Sequence, residues 1–383
     1  MRLFRAGMYL VPAACIAAIG LSRATPVHGF AAPSTTPPAA TWDKSSAAKY
    51  LDSREVWWQS WPTAQMDHGT VCISCHTTVP YVMARPALQA ALHESAPPEP
   101  EKILLDNVEK RVSHWSEMVP FYSDAANGPG KTEQSHSTEA VMNAVILTSY
   151  DRREGHLRPI TQTALDAAWA LQYPAGENAG GWLWQDFHLS PWESGESSYE
   201  GAAMLMLQLG SAPELFARTP EDHAHVDLLK HYLQAHYASQ PPLNQLYVYW
   251  ASAKTPGLLS DPQRTELLKT ILSLQQADGG WKLSSLDNIP RADKTSQPTE
   301  SDGYATALVA LVLEANAKDR ADNALQSGLT WLEQHQGKDG RWQAYSLNKE
   351  RDPESNVGKF MSDAATGYAV LALEDRPRNM ASR

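Results

Sequence analysis

Two stretches decide how this chain is read: LSLQQADGGW at residues 272–281 and WLEQHQGKDGRW at 331–342. In each, a Gln is followed four residues later by Gly and two later again by Trp: Gln275, Gly279, Trp281 and Gln336, Gly340, Trp342. A third copy, WALQYPAGENAGGW at 169–182, sets Gln172 and Trp182 further apart. Each copy ends an amphipathic, charge-bearing pattern of helical period. Each is followed, after a polar loop, by an almost wholly apolar helical pattern: SYEGAAMLMLQL, SDGYATALVALVLEA and SDAATGYAVLALE. Gly supplies a turn that other residues resist, and Trp has a large ring to bury over the end of the preceding helix. A unit that recurs in this way is the mark of a repeat architecture.

Extending the period along the chain places outer helices near 43–60, 101–115, 158–172, 221–238, 261–276 and 320–336. Inner helices fall near 81–94, 136–149, 197–209, 243–253, 301–316 and 362–374. The expected fold is all-α: an (α/α)6 toroid with a charged outer layer and an apolar inner layer. The last inner helix closes against the first outer one. No long alternating pattern suggests a β-sheet.

The Gln–Gly–Trp units resemble the QW repeats of terpenoid cyclases such as squalene–hopene cyclase. The same ring occurs in protein prenyltransferase β-subunits and some pectate lyases. The resemblance implies the scaffold and not the activity. The D-x-D-D acid run of squalene–hopene cyclases is missing, with SDGY and SDAATGY the nearest remnants, and so is a D-D-x-x-D motif. The Asp, Cys and His zinc set of the prenyltransferases has no counterpart on the relevant helices. A calcium carboxylate cluster with an arginine base, as a pectate lyase would need, is not located.

The chain has 383 residues, 13 of them Trp, with 43% hydrophobic and 20% charged residues and a formal charge of −11. That acidity argues against nucleic acid and anionic membranes as partners. Arg2 and Arg5, the apolar run AGMYLVPAACIAAIGL and the small residues after it read as a Sec-type signal peptide over 1–32. A Pro- and Thr-rich leader follows at 33–41, then the toroid at 42–376 and a tail at 377–383. The expected location is periplasmic or secreted, and the expected state a monomer.

Loss of the signal removes Cys15 and leaves two cysteines, both in VCISCH, where Cys72, Cys75 and His76 spell C-x-x-C-H. This is the attachment pattern of c-type haem, with His76 bound to iron. The expectation is one covalent haem c, held by a loop at 61–80 over the cavity mouth, for electron transfer to a periplasmic redox partner or for redox chemistry on a bound ligand. Met66, His68, Met83, His93, His114 and Met118 are near enough in sequence to supply the sixth ligand, and Met118 is preferred. The alternative is a cyclase- or polysaccharide-lyase-like enzyme, or a binding module, in which Cys72 and Cys75 form a disulfide.

Acids and tyrosines recur at the starts of the inner helices. Glu139, Glu200, Tyr247, Asp302 and Asp363 are the candidates for a polar cavity mouth, with helix capping as the competing role. The loop GENAGGWLWQDFHLSPWESGESS at 176–198 carries Trp182, Trp184, Phe187, His188 and Trp192. It can cover an apolar ligand or stack on a sugar. Aromatic and aliphatic walls would point to an isoprenoid, and acids with Trp faces to a saccharide. His223, His225, His231 and His236 read as a solvated helix face rather than a metal site.

Overall fold

A computed structural model describes residues 42–319 and 321–374. The signal peptide, the leader and the tail expected from the sequence lie outside the described residues. Among the described residues, twelve principal helices alternate between two layers. The outer ones are α1 (Lys44–Ser60), α3 (Glu99–Ser113), α5 (Pro159–Ala170), α7 (Pro220–His236), α9 (Asp261–Ser273) and α11 (Asp322–Gln334). The inner ones are α2 (Thr78–Ala91), α4 (Lys131–Glu154), α6 (Ser198–Ser211), α8 (Pro242–Ser252), α10 (Gly303–Ala315) and α12 (Phe360–Glu374). A two-residue hairpin, β1 (Gln65–Met66) with β2 (Thr70–Val71), precedes the C-x-x-C-H motif. Among the described residues no helix is long and apolar enough to cross a membrane.

The inner helices pack in the cyclic order α2, α4, α6, α8, α10, α12 and back to α2, so the ring is closed. Burial separates the layers as the composition requires. Residues 303–313 of α10 are buried without a break, whereas α9 buries only Arg264, Leu267 and Ile271. Local signals start the helices. Pro lies in the first turn of α3, α5, α7, α8 and α9, where its missing N–H costs nothing. Thr219 with Asp222, and Ser260 with Gln263, form reciprocal capping boxes.

The Gln–Gly–Trp unit does more than end a helix. The Gln275 side-chain amide donates to Gly279 O at 2.8 Å and to Ala324 O of the next outer segment at 2.9 Å. Gln172 bonds Gly180 O at 3.1 Å and His225 O at 3.2 Å. Gln336 bonds Gly340 O at 3.0 Å and crosses the chain closure to Asp43 O, also at 3.0 Å. Asp43 N donates back to Gln336 Oε1 at 2.6 Å. Each Trp indole donates to the helix just ended: Trp182 to Ala168 O, Trp281 to Ile271 O and Trp342 to Leu332 O. Outer helices α9 and α11 stop at Ser273 and Gln334, two or three residues short of the expected ends. The reason is that Gln275 and Gln336 fold into the turn instead of continuing the helix.

Gly340 shows why the turn needs glycine. Its φ is +91°, and a Cβ there would lie 2.1 Å from Ser46 O of α1. Gly340→Ala is expected to lower stability by about 2–4 kcal/mol, and Gln336→Ala by about 1–2 kcal/mol. Equilibrium urea unfolding checks both, with Lys338→Ala, in the same turn, expected to change little.

Candidate functional site

The connections that lead from outer to inner helices meet on one rim. Asn348 Nδ2 reaches Leu189 O and Glu193 Oε2, Ala292 N donates to Asn348 O, and Arg291 bonds Ser346 O. The three loops at 171–197, 274–302 and 335–359 therefore lock together above the ring.

A cavity of about 310 Å³ opens at this rim. Trp58, Trp61, Phe121, Trp184, Trp192 and Phe360 supply aromatic wall, and Glu139, Glu193 and Gln185 supply polar atoms. Cys72, Cys75 and His76 all face it. A small cavity of about 30 Å³ beside it shares Cys75, His76, Trp184 and Trp192 and is lined also by Glu200 and Tyr368.

The motif is held by local bonds. Trp58 Nε1 donates to Cys72 O at 2.8 Å, and Cys72 N donates to Ala64 O at 2.9 Å. Cys72 packs with Trp58 and Ala64 in a small apolar cluster. Cys75 is open to the cavity yet surrounded by protein, and burial pushes its thiol up to about 12. Cys72 is also pushed up by burial. Both sulfurs are therefore thiols at neutral pH and not nucleophiles. The His76 ring meets Trp192 edge-on at 5.7 Å, and burial lowers its pKa to about 4. His76 is thus a neutral imidazole at physiological pH.

The acids at the inner-helix starts differ sharply. Glu139 forms a bidentate pair with Arg111, at 2.5 and 2.8 Å, and Arg111 also donates to Thr70 Oγ1. This joins α3, α4 and β2. Asp302 caps α10, accepting from Tyr304 N, Ala305 N and Leu283 N. Asp363 accepts from Tyr50 Oη, Arg54 Nε and Thr77 Oγ1 at 2.7, 2.7 and 2.8 Å, and fastens α12 to α1 and to the motif loop. Tyr247 lies not at the mouth but inside the ring, its hydroxyl against those of Tyr304 and Tyr368. Glu200 has no cationic partner in this set. Burial pushes its carboxyl up to about 7 against a lowering hydrogen bond from Tyr247.

Met118, the preferred sixth ligand, does not line the cavity. Its side chain is buried and its carbonyl accepts from the His136 ring at 3.2 Å. His225 pairs with Gln172 and His236 with Glu177 O, so both serve the repeat turns. The aromatic wall from α1 and α12 was not singled out from the sequence. The run WWQSW at 57–61 is the signal that could have found part of it.

No family model matches the chain, and no curated protein sequence matches it. Solved structures do. An inactive variant of an α-1,6-mannanase of Salegentibacter sp. in complex with α-1,6-mannotriose matches at TM-score 0.50 and 10% identity, covering 86% of this chain and 100% of that one. A second inactive variant, with α-1,6-mannotetrose, matches at 0.51 and 12%, covering 86% and 99%. A polysaccharide lyase matches at 0.35 and 13%, covering 89% and 93%. The chain has the (α/α)6 toroid fold.

These neighbours correct two expectations. The ring is shared with the two α-1,6-mannanase structures rather than specifically with terpenoid cyclases. The reading of the chain as a c-type haem protein for electron transfer is also overturned, because the scaffold matched over 86% of the chain is that of two α-1,6-mannanase structures. The C-x-x-C-H match spans five residues, and its preferred second iron ligand does not face the cavity. No redox partner is supported.

Structural and chemically available acids separate under mutation. Asp363→Ala strands the buried Arg54 guanidinium and is expected to cost about 3–5 kcal/mol. Glu200→Gln removes a carboxyl with no cationic partner in this set and is expected to leave the unfolding midpoint nearly unchanged. Urea denaturation of the two variants checks the contrast.

Proposed function

We propose that this chain is an exported glycan-processing enzyme that takes a saccharide into the aromatic rim cavity. The observation that carries the reading is a pair of titratable groups that line one small cavity beside it. Burial raises Glu200 to about 7 and lowers His76 to about 4. At neutral pH one is a carboxylic acid in substantial part and the other a free base. Groups driven apart in this way suit acid–base chemistry. Glu200 would donate a proton to the leaving oxygen of a glycosidic bond, and His76 would accept one from water or from a sugar carbon.

Trp58, Trp61, Trp184 and Trp192 offer flat faces for sugar rings, and Glu193 and Gln185 offer hydrogen-bond partners. A wall that mixes carboxylates with Trp faces favours a saccharide over an isoprenoid. The two mannanase neighbours bind α-1,6-linked mannose oligomers, which makes those oligomers the first probe. Those inactive variants carry substitutions at two consecutive aspartates. This chain has no two consecutive aspartates, so the reading rests on Glu200 and not on that pair. The basic, then apolar, N-terminal run supports export.

The experiment is reducing-end release from α-1,6-mannan and from uronic-acid polymers, with tryptophan fluorescence to follow binding. Glu200→Gln is expected to lower kcat by about 10²-fold or more. A carboxyl with a raised pKa is in its acid form below that value, so activity should fall as pH rises through about 7. Trp192→Ala should weaken binding. The absence of both binding and cleavage with either glycan class would defeat the proposal. A pyridine haemochrome spectrum of protein exported alongside cytochrome c maturation is expected to show no haem. A haem bonded to Cys72 and Cys75 would replace glycan cleavage with redox chemistry.

A further inference from the structure

A second cluster lies on the outer side of the motif loop and plays no part in the proposed glycan chemistry. His68 stands in the turn between β1 and β2, in a left-handed conformation with φ +54°. His114 caps the C-terminus of α3, and Glu117 follows one turn later. One ligand atom from each of His68, His114 and Glu117 lies within 4.8 Å of the others. Glu117 Oε2 is 3.5 Å from His114 Nδ1 and 3.9 Å from His68 Nε2. Asp67 Oδ2 is 3.8 Å from His68 Nε2 and accepts Val119 N at 3.1 Å. The other oxygen, Asp67 Oδ1, is shielded from solvent and has no hydrogen-bond partner.

We infer that His68, His114 and Glu117, with Asp67 beside them, form a binding site for a divalent transition-metal ion of the zinc class. Two imidazoles and one or two carboxylates are a donor set that zinc takes at about 2.0–2.2 Å. Bonds of that length around a tetrahedral ion set ligand atoms about 3.3–3.5 Å apart. The Glu117–His114 separation of 3.5 Å already matches, and the remaining separations, up to 4.8 Å, must contract. The two rings stack at 4.9 Å and 15° without an ion. Both are partly exposed, and to bind a common ion the stacked rings must turn their nitrogens towards one centre. Left-handed backbone at a non-glycine residue costs free energy, and a metal bond to His68 repays it. The ion would bridge the β1–β2 turn to the end of α3. It would thereby brace the segment that runs on to Cys72.

The test uses the full processed chain, stripped with a chelator and titrated with Zn²⁺ by calorimetry and with Co²⁺ by visible absorption. One equivalent is expected to bind. His68→Gln and His114→Gln should each weaken it by about tenfold or more, and His223→Gln should not. Zinc should also slow proteolysis within residues 61–71. The Cys72→Ser/Cys75→Ser variant should bind as the parent does. Binding that survives His114→Gln but is lost with the cysteines would overturn the assignment, as would the absence of saturable binding at about 100 µM metal.

Discussion

The closure of the ring is the constraint on which the rest depends. A toroid of helix pairs has no ends, so the last repeat must meet the first with the same geometry used at every other joint. Here the joint is a glutamine amide that bonds its own turn and the neighbouring outer segment at once. Gln336 makes this joint to Asp43, at the very start of the described ring. A turn that pressed less closely on α1 would leave the amide short of a partner, and a Cβ at Gly340 would force that gap open. The same geometry sends every outer-to-inner connection to one rim. That is why loops more than a hundred residues apart in sequence share a cavity.

Within that rim, pairing rather than residue type distinguishes the acids. Asp363 and Glu139 are buried opposite arginines, and the ion pairs hold separate segments together. Asp302 spends its oxygens on backbone amides at a helix start. Glu200 occupies an equivalent place on α6 and meets no cation, so desolvation acts on it almost unopposed. His76 is pushed the other way by the same burial, with Arg351 adding to the effect. One apolar environment therefore yields both an acid and a base.

The C-x-x-C-H loop shows how a strong local signal and a global scaffold can pull in different directions. The side chains of Cys72, Cys75 and His76 do converge on one cavity, as a tether for a flat macrocycle would require. Yet burial pushes both thiols up, and Met118 is buried and does not line the cavity. The loop is fastened from several sides, through Trp58 to the Cys72 carbonyl, Asn107 to Val71 and Thr77 to Asp363. It serves the ring as a fixed part of the cavity wall.

The sequence by itself determined the layer of each of the twelve helices and their repeat. Hydrophobic period, proline starts and the Gln–Gly–Trp spacing are local properties, readable from neighbours a few residues away. It also marked Glu139, Glu200, Tyr247, Asp302 and Asp363 as polar residues at or near the starts of inner helices. Which of them holds the fold together was beyond it, because Arg54 lies 309 residues from Asp363 and Arg111 lies 28 from Glu139. Only the tertiary structure brought Trp58, Trp192 and Phe360 to one wall and left Glu200 without a counter-charge. Desolvation and pairing depend on what packs around a side chain, and in a closed ring those neighbours come from the whole length of the chain.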